Sequence, residues 1–437
     1  MIILHNKLIK QFKFSFSFVG GAMDGQYFNL KVPEHLMDKM NVPQNDREWY
    51  TFVWDPAHQI ELSVNDAKNS KRIKGNPHQW IGETEGTITN VNRDVSYGKG
   101  YENIINNADS TRVPKSFSDT RWATYAAETI DNFLYNYEPL YDKLNAEKSD
   151  KLDKINNSDF ILKANGLADF YSSVGEASRA IQDPEMYAWQ VDNKIEQHSQ
   201  NMIAMAQSFR ESDNSDHDHY GNTITRFKKA AEELKTSNTF HGKPILDKRH
   251  VPTSTRKKSM AEETQSMSTE DRETKVGEKL GQFVEKYHEN FHRRLNDTEC
   301  KTLSKERELF CTELINLNEP EYIPPVFKDH CDLAKRVNCI DAEVNQEDLD
   351  KQYLKFKGKI LETTGGEGIT DAQERKLYTR LIKEPNGFKD CKEIGKLVAT
   401  ATTRTRCEAV VEGMASVAGK HSKHRNSLKP ENLSKEV

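Results

Sequence analysis

The N-terminal part of the chain has the alternation of a strand with one buried face. Phe14, Phe16 and Phe18 alternate with serines in the segment FSFSF, and a period of two residues is typical of a strand whose alternate side chains enter a core. Two glycines follow a few residues later, and then Asp24, the first acidic residue of the chain. The pattern predicts a strand that ends at a single carboxylate.

The following segments predict a helix and then further strand. The segment VPEHLMDKM (32–40) has a proline near its start and apolar residues at helical spacing, which indicates a helix. Residues 50–67 are predicted to form a strand that is interrupted at Pro56 and then alternates between apolar and polar side chains. Residues 70–118 are rich in Asn, Gly and Ser, and their lack of a period predicts a long loop.

From Thr120 onward the pattern changes to that of amphipathic helices. Apolar residues recur every three to four positions over 130–144 and over 160–181. A further helix is predicted over 185–209. Together these segments are expected to form a helical bundle.

A polar segment interrupts the helices. Residues 211–275 are charged and poor in aromatics, which predicts disorder or a mobile linker. Helices are predicted to resume at 276–295. Further along, residues 363–371 predict a turn that leads into a helix capped by Thr370 or Asp371.

Composition excludes several classes of protein. The net charge of −5 over 437 residues excludes a uniformly basic coat for nucleic acid. Lysines interrupt the apolar N-terminal stretch, which argues against a signal peptide, and no run approaches the ~18 apolar residues of a membrane span. The six cysteines form no C-x-x-C pair, which indicates reduced thiols in the cytoplasm or nucleus rather than a zinc or redox motif.

A second carboxylate of interest lies near the C terminus. An apolar stripe recurs there with helical spacing, and Glu408, Glu412 and Ser416 form a polar stripe on the same helix. A strand-end Asp and a helix Glu that converge are what a divalent-metal nuclease uses, because two metal ions about 3.5–4 Å apart share carboxylates. Oxygen ligands suit Mg²⁺. Asp24 and a carboxylate of this helix are therefore candidates for a shared divalent-metal site.

The order of the motifs resembles the hAT transposase superfamily. The turn AMDGQ is similar to the family's turn around the second catalytic Asp, which matches Asp24. The segment DPAHQIEL resembles the family's C-x-x-H-x-L-x-L-like strand, with its histidine at His58 and with Asp55 in place of the cysteine.

Two later motifs continue the resemblance in the same order. The family's T-R-W at the start of its insertion is present as Thr120, Arg121 and Trp122. Its C-terminal E-R-x-F-S helix resembles EGMAS, which puts Glu412 at the catalytic position and Ser416 at the serine. The trailing HRNSLKPENL resembles the end of the family's dimerisation region.

The resemblance implies an RNase H-like α/β core that is interrupted by a large, mostly helical insertion. The expected divisions are a partial core at 1–115, the insertion at 116–345, and a C-terminal return with a dimerisation-type region at 346–437. The family cleaves and transfers DNA with Mg²⁺ or Mn²⁺ held by three carboxylates. No acidic residue precedes Asp24, so we expect the first carboxylate to be absent and the chain to be truncated at its N terminus.

We therefore expect a transposon-derived nuclear protein that binds DNA and forms homodimers or larger homo-oligomers, without catalysis. No membrane or small-molecule substrate is expected. Arg121 and Trp122 are the candidate DNA contacts, since an aromatic side chain can stack on a flipped base. Two alternatives stay open: a fragment of an active metal-dependent transposase, and a protein-interaction scaffold built on the helical insertion.

Each candidate residue also has a structural interpretation. Asp24 fits an Asp-Gly turn that needs no metal, and His58 is favoured as a histidine satisfied by a hydrogen bond. Trp122 fits core packing beside an arginine that pairs with an anion. Glu412 fits a solvated helix face, and Glu408 replaces it if the helical register differs by one turn.

Overall fold

The fold is mostly helical and contains few strands. The computed structural model describes residues 20–23, 30–68, 77–95, 112–115, 117, 123–183, 185–211, 224–246, 268–296, 300–315, 317–384 and 386–404.

The elements follow one another as short strands and helices and then as helices. The N-terminal elements are β1 (Gly20–Met23), α1 (Val32–Lys39), a 3₁₀ helix (Gln44–Trp49), β2 (Thr51–Trp54), α2 (Pro56–Lys68) and α3 (Gln79–Val95). The middle elements are α4 (Ala123–Tyr135), α5 (Tyr137–Ala146), α6 (Asp150–Ile155), α7 (Ser158–Ile181), α8 (Ala188–Arg210), α9 (Thr225–Ser237), β3 (Thr239–Phe240), β4 (Lys243–Pro244) and α10 (Thr269–Asn296). The C-terminal elements are α11 (Lys301–Phe310), α12 (Val326–Arg336), α13 (Gln346–Thr364), α14 (Asp371–Lys383) and α15 (Lys392–Thr403).

β1 and β2 form a parallel pair that runs in register from Gly20↔Thr51 to Met23↔Trp54. Parallel strands need a crossover connection, and here α1 and the 3₁₀ helix lie in it. Gly20 has a φ of 139°, and a Cβ atom there would lie 1.9 Å from the carbonyl oxygen of Thr51. The helix predicted at 32–40 is confirmed. The alternating segment with its three phenylalanines lies outside the described residues, so the strand predicted there stays a prediction, and β1 begins at the glycines that follow it.

The second half of the strand predicted at 50–67 is wrong, because the chain after Trp54 forms helix α2. Asp55 starts the helix: its Oδ1 accepts the backbone N–H of Ala57 at 2.8 Å, and Pro56 suits the first helical turn. The buried residues recur at helical rather than strand spacing, at Ala57, Ile60, Val64 and Ala67. The apolar-polar alternation therefore belongs to a helix that buries one face.

The loop predicted over 70–118 is wrong at its centre, where helix α3 occupies Gln79–Val95. Its buried apolar residues lie on one helical face: Trp80, Ile81, Ile88, Val91 and Val95. Two glycines and several Thr and Asn residues suggested a loop, but burial of this face outweighs their weak helix propensity.

Part of the segment predicted to be disordered, 211–275, is folded. Residues 224–246 form α9 and an antiparallel hairpin of β3 and β4, and α10 begins at Thr269. The ring of Phe240 in the hairpin packs edge-on against Tyr137, with ring centroids 4.8 Å apart. Residues 212–223 and 247–267 lie outside the described ranges.

The chain divides into two compact units, each built from separate stretches of sequence. Unit 1 comprises Met1–His58, Ile181–Asn193 and Asp297–Val437, and unit 2 comprises Gln59–Ala180 and Lys194–Asn296. These divisions describe compactness. The predicted domain ranges 1–115 (partial core), 116–345 (insertion) and 346–437 (C-terminal return) stay predictions.

The core of unit 1 is rich in aromatic side chains and encloses the carboxylate of Glu374. Its fully buried aromatic members include Trp189, Phe310, Phe327, Tyr353, Phe356 and Tyr378. Glu374 accepts hydrogen bonds from Trp189 and Gln190 on one oxygen, and from the N–H and hydroxyl of Thr312 on the other. These four donors compensate for its burial. Its helix, α14, begins with a capping box of Thr370 and Gln373, which confirms the predicted cap.

The core of unit 2 is centred on α7 and α10. The ring of Phe170 lies 4.8 Å from that of Phe283 and 5.2 Å from that of Tyr287. α8 packs closely on α10 at Gly277, where a Cβ atom would lie 2.1 Å from the carbonyl oxygen of Phe209. A glycine is therefore required at this helix crossing.

Candidate functional site

The parallel strand pair is the part of the structure closest to the predicted site. Met23 and Trp54 are register partners at the C-terminal ends of β1 and β2, and the next residues in the sequence are Asp24 and Asp55. The carboxyl ends of parallel strands are where α/β sheets place ligand-binding residues. Asp24 itself lies outside the described residues, so its candidate role stays a prediction.

Asp55 is the described carboxylate at this edge. Asp55 is 6% exposed, and its Oδ1 accepts a hydrogen bond from the N–H of Ala57 at the start of α2. Such a contact satisfies one of the unpaired N–H groups of a helix start. The described role of Asp55 is therefore to begin a helix. A two-metal site needs shared carboxylates, and the described residues of this edge do not supply such a set.

His58 lies on α2 and not on the predicted strand. It is half-buried in the first turn of the helix, four residues after Trp54. The structure thus places His58 just beyond the end of β2. The prediction that a strand carries His58 is therefore wrong.

Arg121 and Trp122 lie outside the described residues, but the residue that follows them is well anchored. The backbone N–H of Ala123, the first residue of α4, donates to Glu61 Oε1 at 2.5 Å. Burial raises the pKa of Glu61, while the Ala123 hydrogen bond and the charge of Lys68 oppose that rise. α2 therefore holds the start of α4 directly after the predicted DNA contacts.

Glu412 also lies outside the described residues, and the last described residue before it is Arg404. The Arg404 side chain is fully buried and donates through Nε to Glu306 Oε1 at 2.8 Å. Its Nη1 donates to the carbonyl oxygen of Trp49 at 2.8 Å and to the hydroxyl of Thr51 at 3.3 Å. The guanidinium also lies over the indole of Trp49, 4.8 Å from the ring. The end of α15 is thus fastened to the start of β2.

His330 completes this buried cluster. Its Nε2 lies 3.8 Å from Glu306 Oε1, and its ring lies 5.4 Å from that of Trp49. Burial, together with the positive charges of Arg404 and Lys305, lowers the pKa of His330 to about 3. Burial raises the pKa of Glu306 to about 7, while Arg404 opposes that rise. We interpret the cluster as a structural fastening, because its charged side chains are buried and engage one another.

Sequence reasoning did not find this fastening. Glu306, His330 and Arg404 are spread over about a hundred residues and form no motif. One detectable hint was Arg404 at the end of an apolar helical run, where a lone charge is expected to need a partner.

The described residues contain no group of three or more His, Cys, Asp or Glu side chains that could hold a metal ion. Within the same ranges, every helix is too short or too polar for a bilayer-spanning segment. Comparison of the chain with protein-family models, with curated proteins and with solved structures gives no match in any of the three.

Proposed function

We propose that this chain is a hAT transposase-like, transposon-derived protein that binds DNA and self-associates. In this proposal β1 and β2 belong to a partial RNase H-like core at 1–115, and the mostly helical insertion spans residues 116–345. The expected place of action is the nucleus, because the partner is DNA.

One observation carries the proposal: the discontinuous build of unit 1. Residues up to His58 and residues from Asp297 onward belong to the same compact unit, together with Ile181–Asn193, and the mostly helical unit 2 takes up the rest of the sequence between them. The early part contains a parallel strand pair whose first strand ends immediately before Asp24. A core that is interrupted by helices after its strand-end Asp is the organisation that the motif order implies.

The proposal assigns Asp24 and Glu412 as equivalents of two family carboxylates for Mg²⁺ or Mn²⁺. No acidic residue precedes Asp24 in this chain. We therefore expect the 437-residue chain to bind DNA without cleaving it when either metal is added. Cleavage that is lost in Asp24→Asn and Glu412→Gln would instead favour an active transposase.

DNA binding is tested by fluorescence anisotropy with labelled duplex DNA at low salt. Affinity should fall steeply between about 50 and 200 mM salt, because phosphate contacts release counterions. Arg121→Ala and Trp122→Ala should weaken binding, whereas Arg93→Ala should not; Arg93 is an exposed arginine on α3 and serves as the matched control.

Self-association is tested by light scattering coupled to size-exclusion chromatography. The intact chain should form dimers or larger assemblies. The double variant Leu428→Asp/Leu433→Asp, which alters the dimerisation-type tail, should be monomeric. Leu314→Asp is the control, because Leu314 is an apolar residue that is 50% exposed elsewhere in the chain.

A chain that stays monomeric at high concentration and binds no DNA at low salt would refute the proposal. If partner proteins then bind through residues 120–345, the helical scaffold becomes the better interpretation.

A further inference from the structure

Two histidines of α10 converge on a single hydroxyl group in unit 2. The Nε2 atoms of His288 and His292 each lie 2.8 Å from the Oγ of Ser199 on α8. The two rings are nearly perpendicular, with centroids 4.5 Å apart. Residues four apart share one face of a helix, so the backbone itself brings the two ring nitrogens together.

A hydroxyl group carries one proton, so Ser199 can donate to only one of the two imidazoles. If Ser199 donates to one imidazole, that ring accepts through the lone pair of its Nε2, and the other ring donates its Nε2–H to Oγ. One Nε2 lone pair therefore points at the shared position, and such a lone pair is what a neutral imidazole offers to a metal ion.

The sequence of this turn is His-Glu-Asn-Phe-His over residues 288–292. It has the H-E-x-x-H spacing in which two histidines on one helical face bind zinc. Neighbouring groups favour the two histidines as the ligands. Glu289 Oε2 accepts a hydrogen bond from Lys286 at 2.8 Å, and the buried His198 bonds to the hydroxyl of Tyr287 at 2.8 Å.

We propose that His288 and His292 form a binding site for a divalent transition-metal ion such as Zn²⁺ or Ni²⁺. Both Nε2 atoms ligate the ion in place of their contacts with Ser199, and solvent completes the coordination at the exposed His292. Imidazole nitrogen suits Zn²⁺, Cu²⁺ and Ni²⁺, whereas Mn²⁺ binds more weakly. This site is independent of the proposed DNA-binding function.

The test is isothermal titration of the full, untagged chain with Zn²⁺, Ni²⁺ and Mn²⁺, under reducing conditions. Other histidines and cysteines also bind metal, so the decisive quantity is the difference between variants. The wild type should bind one more Zn²⁺ than His292→Ala, or bind Zn²⁺ more than about tenfold more tightly at that site. Ni²⁺ should show the same difference, and Mn²⁺ should bind far more weakly.

Three variants serve as controls. Glu289→Gln should keep the site, because that carboxylate pairs with Lys286. Ser199→Ala should keep it as well, because the hydroxyl is displaced rather than used. His35→Ala removes an exposed histidine outside this cluster and should leave the stoichiometry of the site unchanged.

Because His292 is exposed, its substitution should not unfold the chain, and circular dichroism of metal-free protein verifies this. His288→Gln provides a second loss-of-site variant. If His292→Ala and His288→Gln bind Zn²⁺ with the stoichiometry and affinity of the wild type, the proposal is wrong. Loss of the site in Ser199→Ala would overturn the assignment of the two imidazoles as sufficient ligands.

Discussion

At the scale of single residues, the pair formed by Glu306 and Arg404 is the most consequential contact described. The side chain of Glu306 is 1% exposed and that of Arg404 is 0% exposed. Removing one partner of such a pair leaves an uncompensated buried charge, which typically costs about 3–5 kcal/mol. We expect Arg404→Met to lower the free energy of unfolding by that amount, as measured by urea denaturation.

A matched control uses a surface arginine. Arg380→Met alters a side chain that is 52% exposed, and it should change the free energy of unfolding by less than about 0.5 kcal/mol. If Arg404→Met had an equally small effect, Arg404 would not be a fastening for β2.

His330 makes the same cluster sensitive to acid. Its folded pKa of about 3 lies below the ordinary value of 6.5, so the unfolded chain binds a proton in that interval that the folded chain does not. The stability contributed by neutral His330 is present above about pH 6.5 and is lost as the pH falls toward 3. His330→Gln should therefore gain stability relative to the wild type by about 1.4 kcal/mol per pH unit below pH 6.5.

Glu306 acts in the opposite direction. Its folded pKa of about 7 exceeds the ordinary 4.5, so its contribution is full below about pH 4.5 and is lost as the pH rises through 7. The wild type and His330→Gln both contain Glu306, so its contribution cancels in the difference between their free energies of unfolding. That difference at pH 8 gives the cost of the substitution itself. Parallel curves of stability against pH for wild type and His330→Gln would show that His330 does not titrate as stated.

At the scale of elements, the crossing of α8 and α10 depends on the missing side chain of Gly277. An added Cβ atom would lie 2.1 Å from the carbonyl oxygen of Phe209, so Gly277→Ala should cost about 1–3 kcal/mol through overpacking. Gly82→Ala is the control, because a Cβ atom on that residue of α3 meets nothing within 4 Å. It should stabilise the protein by about 0.5–1 kcal/mol. Thermal unfolding of the two variants should shift in opposite directions, and a shift in the same direction would contradict the close packing.

The elements also show which features a single sequence could predict. The long helices α7 and α8 and the cap of α14 were predictable, because apolar spacing and capping residues act within a few positions. α3 and α9 were missed because their compositions are polar. These helices form because they bury a few residues, such as Trp80 and Phe227, against distant parts of the chain. In α2, the residues Ile60, Leu62 and Val64 also fit strand alternation, so their spacing alone did not distinguish a strand from a helix. The Asp55 cap favours the helix that the structure shows.

The candidate site was predictable only in part. The alternation that predicted a strand before Asp24 lies outside the described residues, and the pairing of β1 with β2 in parallel register is a contact between distant segments. The fastening by Arg404 is likewise non-local. The pair of His288 and His292 differs, because its H-E-x-x-H spacing was visible in the sequence and was overlooked.

At the scale of the whole molecule, the two units differ in which part of the sequence completes them. All residues of unit 2 precede position 297, whereas most of the core of unit 1 follows it. We expect a chain that ends at Asn296 to keep slow hydrogen exchange in α7 and α10, because their partners are present. The amides of β2 should exchange rapidly, because Val53 loses its contact with Leu303. Retained protection of β2 in this shortened chain would contradict the assignment of unit 1.

The bond between Arg404 and the carbonyl oxygen of Trp49 joins residues that are 355 positions apart. A ribosome that adds about 5–20 residues per second needs about 20–70 s to travel that distance. During that interval β2 and the indole of Trp49 have been synthesised, but Arg404 at the end of α15, which packs on that indole, has not. The early segment of unit 1 around Trp49 and β2 is therefore open to chaperones for that whole interval, and the rate of translation sets how long it stays exposed.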